Sequence, residues 1–182
     1  IGFQFDVLNR MTQKSPDGMA VVTFVYDLAG RLTSVSTPVV AGNPASGEWE
    51  YGYDTAGRIT SEEAPDGKTI SYQLDENGNV ERIDYADGYY VVREYDEINR
   101  LTAIKLNGSS TPAVEFDYDD LSRRTQMTFD NGVQTDYDYE WNDDMSSIEH
   151  AFNGSDLDFA YGFNDANQLI SQTISDNQYS WH

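Results

Sequence analysis

Tyr26-Asp27-Leu28-Ala29-Gly30-Arg31-Leu32 recurs almost unchanged as Tyr53-Asp54-Thr55-Ala56-Gly57-Arg58-Ile59 and as Tyr95-Asp96-Glu97-Ile98-Asn99-Arg100-Leu101. The heptad is an aromatic, an aspartate, two free positions, a turn residue, an arginine and an aliphatic. Eight copies, some degenerate, begin at Phe5, Tyr26, Tyr53, Leu74, Tyr95, Tyr118, Tyr139 and Phe163. Their spacings of 21, 27, 21, 21, 23, 21 and 24 residues define a 21-residue unit with small insertions. Residues 1–182 therefore read as one continuous array of eight units, and Tyr179-Ser180-Trp181-His182 matches the approach to a truncated ninth. A repeat this short is one supersecondary element that stacks on its neighbours, which favours a scaffold over an enzyme.

Within the heptad, Asp at the opening and Gly three positions later mark a type I turn followed by a left-handed residue, a common hairpin closure. The left-handed position holds Asn9, Gly30, Gly57, Gly78, Asn99, Ser122, Asp143 and Asn167. Six of these eight are Gly or Asn, which tolerate positive φ. In such a hairpin the Asp and the Arg four residues on face each other across the loop. The pairs are Asp6/Arg10, Asp27/Arg31, Asp54/Arg58, Asp96/Arg100 and Asp119/Arg123. They use five of the eleven basic residues. Repeated in register, the pairs could tie neighbouring hairpins together; a row of substrate-binding arginines is the alternative.

A second turn falls midway between heptads, at Pro16-Asp17-Gly18, Pro65-Asp66-Gly67, Ala86-Asp87-Gly88 and Asp130-Asn131-Gly132. The insertions lie in this region, around 38–47, 107–112 and 153–155, so one rim of the sheet is ragged and the other uniform. Ahead of the heptads, Val22/Phe24/Tyr26, Trp49/Tyr51/Tyr53, Ile70/Tyr72/Leu74, Val114/Phe116/Tyr118 and Phe159/Tyr161/Phe163 alternate with other residues and share one face. Glu115/Asp117/Asp119 and Asp136/Asp138/Glu140 fall on the other. After the heptad, Leu32/Val35, Val80/Ile83 and Leu101/Ile104 are three apart, which predicts a bulge or sharp twist. No segment reads as a helix. The expected fold is all-β: tandem hairpins in a curved antiparallel ribbon of about sixteen strands. A propeller would need a period near 42, and odd and even units do not differ in that way.

Composition narrows the function. Thirty-two acids against eleven bases give a formal charge of −21, which repels phosphate backbones and anionic lipids. Neither nucleic acid nor membrane insertion is expected, since no apolar run approaches a span. Cysteine is absent, which excludes disulfides, thiolate metal sites and a thiol nucleophile. The first residues carry no basic region or apolar stretch of signal-peptide length and fall inside a repeat, as expected of a piece of a longer array.

The tandem Tyr-Asp-x-x-Gly-Arg-Leu heptads, followed by Pro-Asp-Gly or Asp-Gly turns, resemble the YD-repeat (RHS-repeat) family across essentially the whole chain. That family includes bacterial rearrangement-hotspot proteins, wall-associated polymorphic toxins, shell subunits of insecticidal toxin complexes and teneurin ectodomains. The resemblance implies a ribbon of β-hairpins that spirals into a hollow shell, enclosing a C-terminal toxic domain in the toxin members. Copies four, seven and eight depart from the motif: Leu74 and Asn79 replace the aromatic and the arginine, Asp144 stands in an arginine position, and copy eight lacks both charges. No autoproteolytic core or toxin domain is evident.

Catalytic readings find little support. Only His150 and His182 could serve a Ser/His/Asp triad, and His150 lies on a repeat strand. Thirty-two acids guarantee chance carboxylate pairs, but none stands outside the repeat register in an apolar setting. Asp75-Glu76-Asn77-Gly78-Asn79 lacks the spacing of a calcium loop, with Gly at position four and Ala86 at position twelve. Trp49 and the Tyr89-Tyr90 doublet fit core packing. Trp141 occupies a free heptad position, where side chains point outward, and is the candidate ligand contact. No catalytic residue, cofactor or metal is implied. The expected function is a structural segment of a secreted or cell-surface bacterial protein whose β-shell encapsulates or displays a toxin or effector. Its partners would be neighbouring repeats, other copies or the enclosed toxin. The alternative is a surface adhesin or glycan-binding module.

Overall fold

A computed structural model describes residues 1–15, 20–43, 46–142, 144–152, 155–164, 166 and 168–176. The Pro16-Asp17-Gly18 turn, the left-handed positions Asp143 and Asn167, Asn153 and Gly154 of the third insertion, His182 and the ninth copy near Trp181 lie outside the described residues. The chain divides into two units, Ile1–Tyr90 and Val91–His182. Every regular element among the described residues is a strand.

In the first unit β1 (Gly2–Phe5), β2 (Met11–Ser15), β3 (Val22–Tyr26), β4 (Leu32–Ser36), β5 (Glu48–Tyr53), β6 (Ile59–Glu63), β7 (Thr69–Leu74) and β8 (Val80–Asp84) follow one another in chain order. Each pairs antiparallel with the next. The same plan runs through β9 (Tyr90–Tyr95), β10 (Leu101–Leu106), β11 (Val114–Tyr118), β12 (Arg124–Phe129), β13 (Gln134–Tyr139), β14 (Met145–Phe152), β15 (Ser155–Phe163) and β16 (Leu169–Asp176). Within each unit, strands touch only their sequence neighbours. Such a sheet has little interior. Ile83, Ala103 and Phe116 are the buried apolar residues among those described, with Ser34 and Thr135 the buried polar ones.

Every heptad closes a hairpin that carries a bulge at one fixed place. Tyr26 pairs with Leu32 but Val25 with Ser34, which leaves Thr33 as the extra residue. Thr12, Thr60, Glu81, Thr102, Thr125, Ser146 and Ile170 occupy the same position in the other seven. The bulge explains the three-residue spacing of the apolar positions. Leu32 lies opposite Tyr26 and Val35 opposite Phe24, so one extra residue returns both to the face of the alternating aromatics. The threonines often serve the bulge: Thr33 Oγ1 donates to the Val25 carbonyl at 3.3 Å, and Thr102 Oγ1 to that of Glu94 at 3.2 Å.

Both kinds of turn share one backbone closure. At the heptad, Asp27 N–H donates to the Arg31 carbonyl (2.9 Å) and Gly30 N–H to that of Asp27 (3.1 Å). At the midway turn, Ala64 N–H donates to Lys68 (2.8 Å) and Gly67 N–H to Ala64 (2.9 Å). What differs is the side-chain brace. Asp opens the heptad turn, whereas Asp66, Asp87 and Asn131 sit at the third position of theirs and accept from the N–H two residues on. The Thr37–Gly47 insertion falls in the midway region, its ends joined by reciprocal backbone bonds of 2.7 and 3.1 Å.

Candidate functional site

The left-handed positions have positive φ from 60° at Asn9 to 95° at Gly78, with Gly30, Gly57, Asn99 and Ser122 between. That curl brings each arginine back over its own aspartate. Asp27 Oδ1 accepts the Arg31 N–H at 2.9 Å, and Oδ2 accepts Arg31 Nε at 2.7 Å. Asp6 with Arg10, Asp54 with Arg58, Asp96 with Arg100 and Asp119 with Arg123 repeat this, with Nε–Oδ2 distances of 2.6–2.7 Å. The arginine backbone N–H, reinforced by the guanidinium, holds Asp6, Asp27, Asp54 and Asp96 below the usual carboxylate range. At Asp119 burial pulls upward but is outweighed by the Arg123 N–H and side chain.

The guanidinium has a second set of contacts, on the next hairpin. Arg10 Nη1 donates to the Asp27 carbonyl (3.2 Å), Arg31 Nη1 to that of Asp54 (3.0 Å), Arg100 Nη1 to that of Asp119 (2.9 Å) and Arg123 Nη1 to that of Glu140 (3.3 Å). The same four lie over the next heptad's ring, Tyr26, Tyr53, Tyr118 and Tyr139, at 4.6–4.8 Å. Each of those tyrosines reaches back. Tyr26 Oη donates to the Met11 carbonyl (2.9 Å), Tyr53 Oη to Leu32 (2.7 Å), Tyr118 Oη to Leu101 (2.8 Å) and Tyr139 Oη to Arg124 (2.9 Å). The acceptor is always the residue after the preceding arginine. Aspartate orients the guanidinium, the guanidinium grips the next ring and carbonyl, and the ring's hydroxyl closes the loop. We call this arrangement the clasp. Its members are committed to one another.

Copy four modifies the pattern. Asn79 takes the arginine's place at Asp75, donating its N–H to Oδ1 and Nδ2 to Oδ2, both at 2.8 Å. The segment that superficially resembles a calcium loop is thereby a braced turn. No group of three or more His, Asp or Glu among the described residues is placed to hold a metal, and no helix is long and apolar enough to cross a membrane.

His150 accepts or donates at Thr135 Oγ1 (Nδ1, 2.9 Å) and stands edge-on to Phe159. Trp49 is half-buried and, with Ile70 and Tyr85, lines a cleft of about 620 Å³ edged by Glu62, Asp66, Lys68 and Asp87. Tyr89 tilts against Tyr85, and Tyr90 lies under Arg82 at 3.8 Å. Trp141 is 93% exposed. It has company that the sequence reading passed over: Val7, Leu8, Leu28, Ile98 and Leu121 also occupy free heptad positions and are exposed. Their recurrence in the two free heptad positions is the sequence signal for them.

These contacts define a class: a hairpin-repeat protein in which arginine clasps join successive hairpins at four junctions. The RHS Repeat family model matches residues 53–90, the stretch that holds the third and fourth heptads. Over 175 residues the chain is 25% identical to the tRNA3(Ser)-specific nuclease WapA of Bacillus spizizenii, and 24% to the tRNA nuclease WapA of Bacillus subtilis. In both cases 96% of this chain aligns with 7% of the relative. The fold is similar to that in a crystal structure of TcdB2-TccC3-Cdc42 (TM-score 0.77, 16% identity). It is equally similar to that in the Tc holotoxin pore of Photorhabdus luminescens with a mutated TccC3 (TM-score 0.77, 16% identity). Each of these likenesses covers 92% of this chain and 10% of the other. The family match over residues 53–90 and the shared fold support a structural role for the repeats.

Proposed function

We propose that residues 1–182 form one continuous wall segment of a larger secreted or cell-surface bacterial protein, in which RHS repeats build a β-shell around a C-terminal toxin or effector. The observation that carries this reading is the clasp. It fastens successive hairpins at four junctions and commits five aspartate–arginine pairs to the turns. A wall of this kind presents its strands edge to edge and depends on neighbouring repeats to continue it. The match of nearly the whole chain to a small fraction of two tRNA nucleases agrees with a piece that serves a toxin without being one. The chain itself performs no chemistry, and its partners are adjoining repeats and the enclosed polypeptide.

Limited proteolysis of the full-length parent protein tests this. The region downstream of the array should resist cleavage in the intact protein and become sensitive when the clasps are weakened by Arg31→Ala and Arg100→Ala together. Cleavage of that region in the intact protein as fast as in its isolated form would overturn the enclosure.

A further inference from the structure

At four junctions a guanidinium lies between an aromatic ring and a carbonyl of the following heptad. Between the seventh and eighth heptads the chain supplies no such group. Asp144 stands in the arginine position, Phe163 is the following aromatic, and Asn164 follows it in the place of Asp27, Asp54, Asp119 and Glu140. This junction opens into a cleft of about 660 Å³ lined by Glu140, Trp141, Asn142, Asp144, Phe163 and Asn164, among others. Asn142 Nδ2 donates to Asp144 Oδ2 at 2.9 Å, which holds the carboxylate at the cleft. Trp141, 93% exposed, stands beside it.

We propose that this cleft binds the arginine side chain of another polypeptide, which completes from outside the clasp that the chain completes by itself at four other junctions. Phe163 and Trp141 offer the π surfaces that a planar, weakly hydrated guanidinium prefers, and Asp144 and Glu140 offer the charge. Asp144 reverses the sign of the group that fills the position in the clasped junctions, so an incoming cation meets a carboxylate where an internal arginine would have repelled it. The long-range field agrees, because a net charge of −21 draws basic segments towards the surface. Lysine should bind less well, since its compact, strongly hydrated ammonium cannot lie flat on a ring while donating sideways to a carboxylate and a carbonyl.

The 182-residue chain is titrated with acetyl-Gly-Arg-Gly-amide, followed by ¹⁵N NMR at the Trp141 indole N–H and the Gly162 and Asn164 amides. The expected result is saturable shifts, at least several-fold weaker with the lysine peptide. They should be lost in Asp144→Arg, which fills the position with the chain's own guanidinium. Trp141→Ala, at an exposed position, weakens binding without disturbing the fold and serves if Asp144→Arg does not fold. No saturable shift, equal response to both peptides, undiminished binding by either variant, or saturable shifts with chitotetraose but not the arginine peptide would each overturn the proposal. The measurement is made on the chain alone and stands or falls independently of the shell.

Discussion

At the scale of single residues, the left-handed position sets how well a heptad turn closes. Gly57 has φ +86°, and a Cβ there would meet Arg31 only at ordinary contact distance, so the difficulty for any other residue is the backbone itself. Gly57→Ala should cost about 1–2 kcal/mol in urea unfolding and Gly57→Asn less; equal, negligible losses would contradict the assigned turn. Most of this was legible beforehand, because Gly and Asn recur where the chain must turn left. The bulge was legible only as a broken alternation. Threonine two positions after the arginine, at 12, 33, 60, 102 and 125, was the local sign of it.

At the scale of elements, the clasp was half readable. Asp and Arg four apart predict a pair within one turn, and the structure has that pair. The grip on the next hairpin spans 17 to 23 residues, and spacing alone could not show that the same guanidinium reaches so far. The departures from the motif make the reach testable. Leu74 opens the heptad after Arg58, where the clasped junctions have tyrosine, so Leu74→Tyr should supply a ring for Arg58 and a hydroxyl for the Ile59 carbonyl. We expect stabilisation of about 0.5–1 kcal/mol from the ring contact, read by thermal or urea unfolding. Loss of stability would show that the third junction is built differently. The remaining feature, the cleft at Asp144, depends on which neighbours meet across a junction. A one-dimensional motif does not carry that information.

At the scale of the molecule, strands that touch only their sequence neighbours make stability a sum of hairpins and junctions. The clasp aspartates have folded pKa values below their unfolded ones. Their contribution is therefore complete above about pH 4 and lost as the pH falls through the folded values. Relief of the −21 charge acts in the opposite sense on acidification. The informative quantity is thus the difference between the wild type and Asp27→Asn/Asp96→Asn, whose unfolding midpoint should have a shallower acid-side slope. Parallel curves from pH 7 to pH 2 would contradict the assignment. The central claim is that one arginine joins two hairpins. A double-mutant cycle on Arg31→Met and Tyr53→Leu tests it most directly, because the two residues lie on successive heptads and meet only through the clasp. The account predicts a coupling energy of about 0.5 kcal/mol or more. Additive losses would show that the hairpins are neighbours without being fastened.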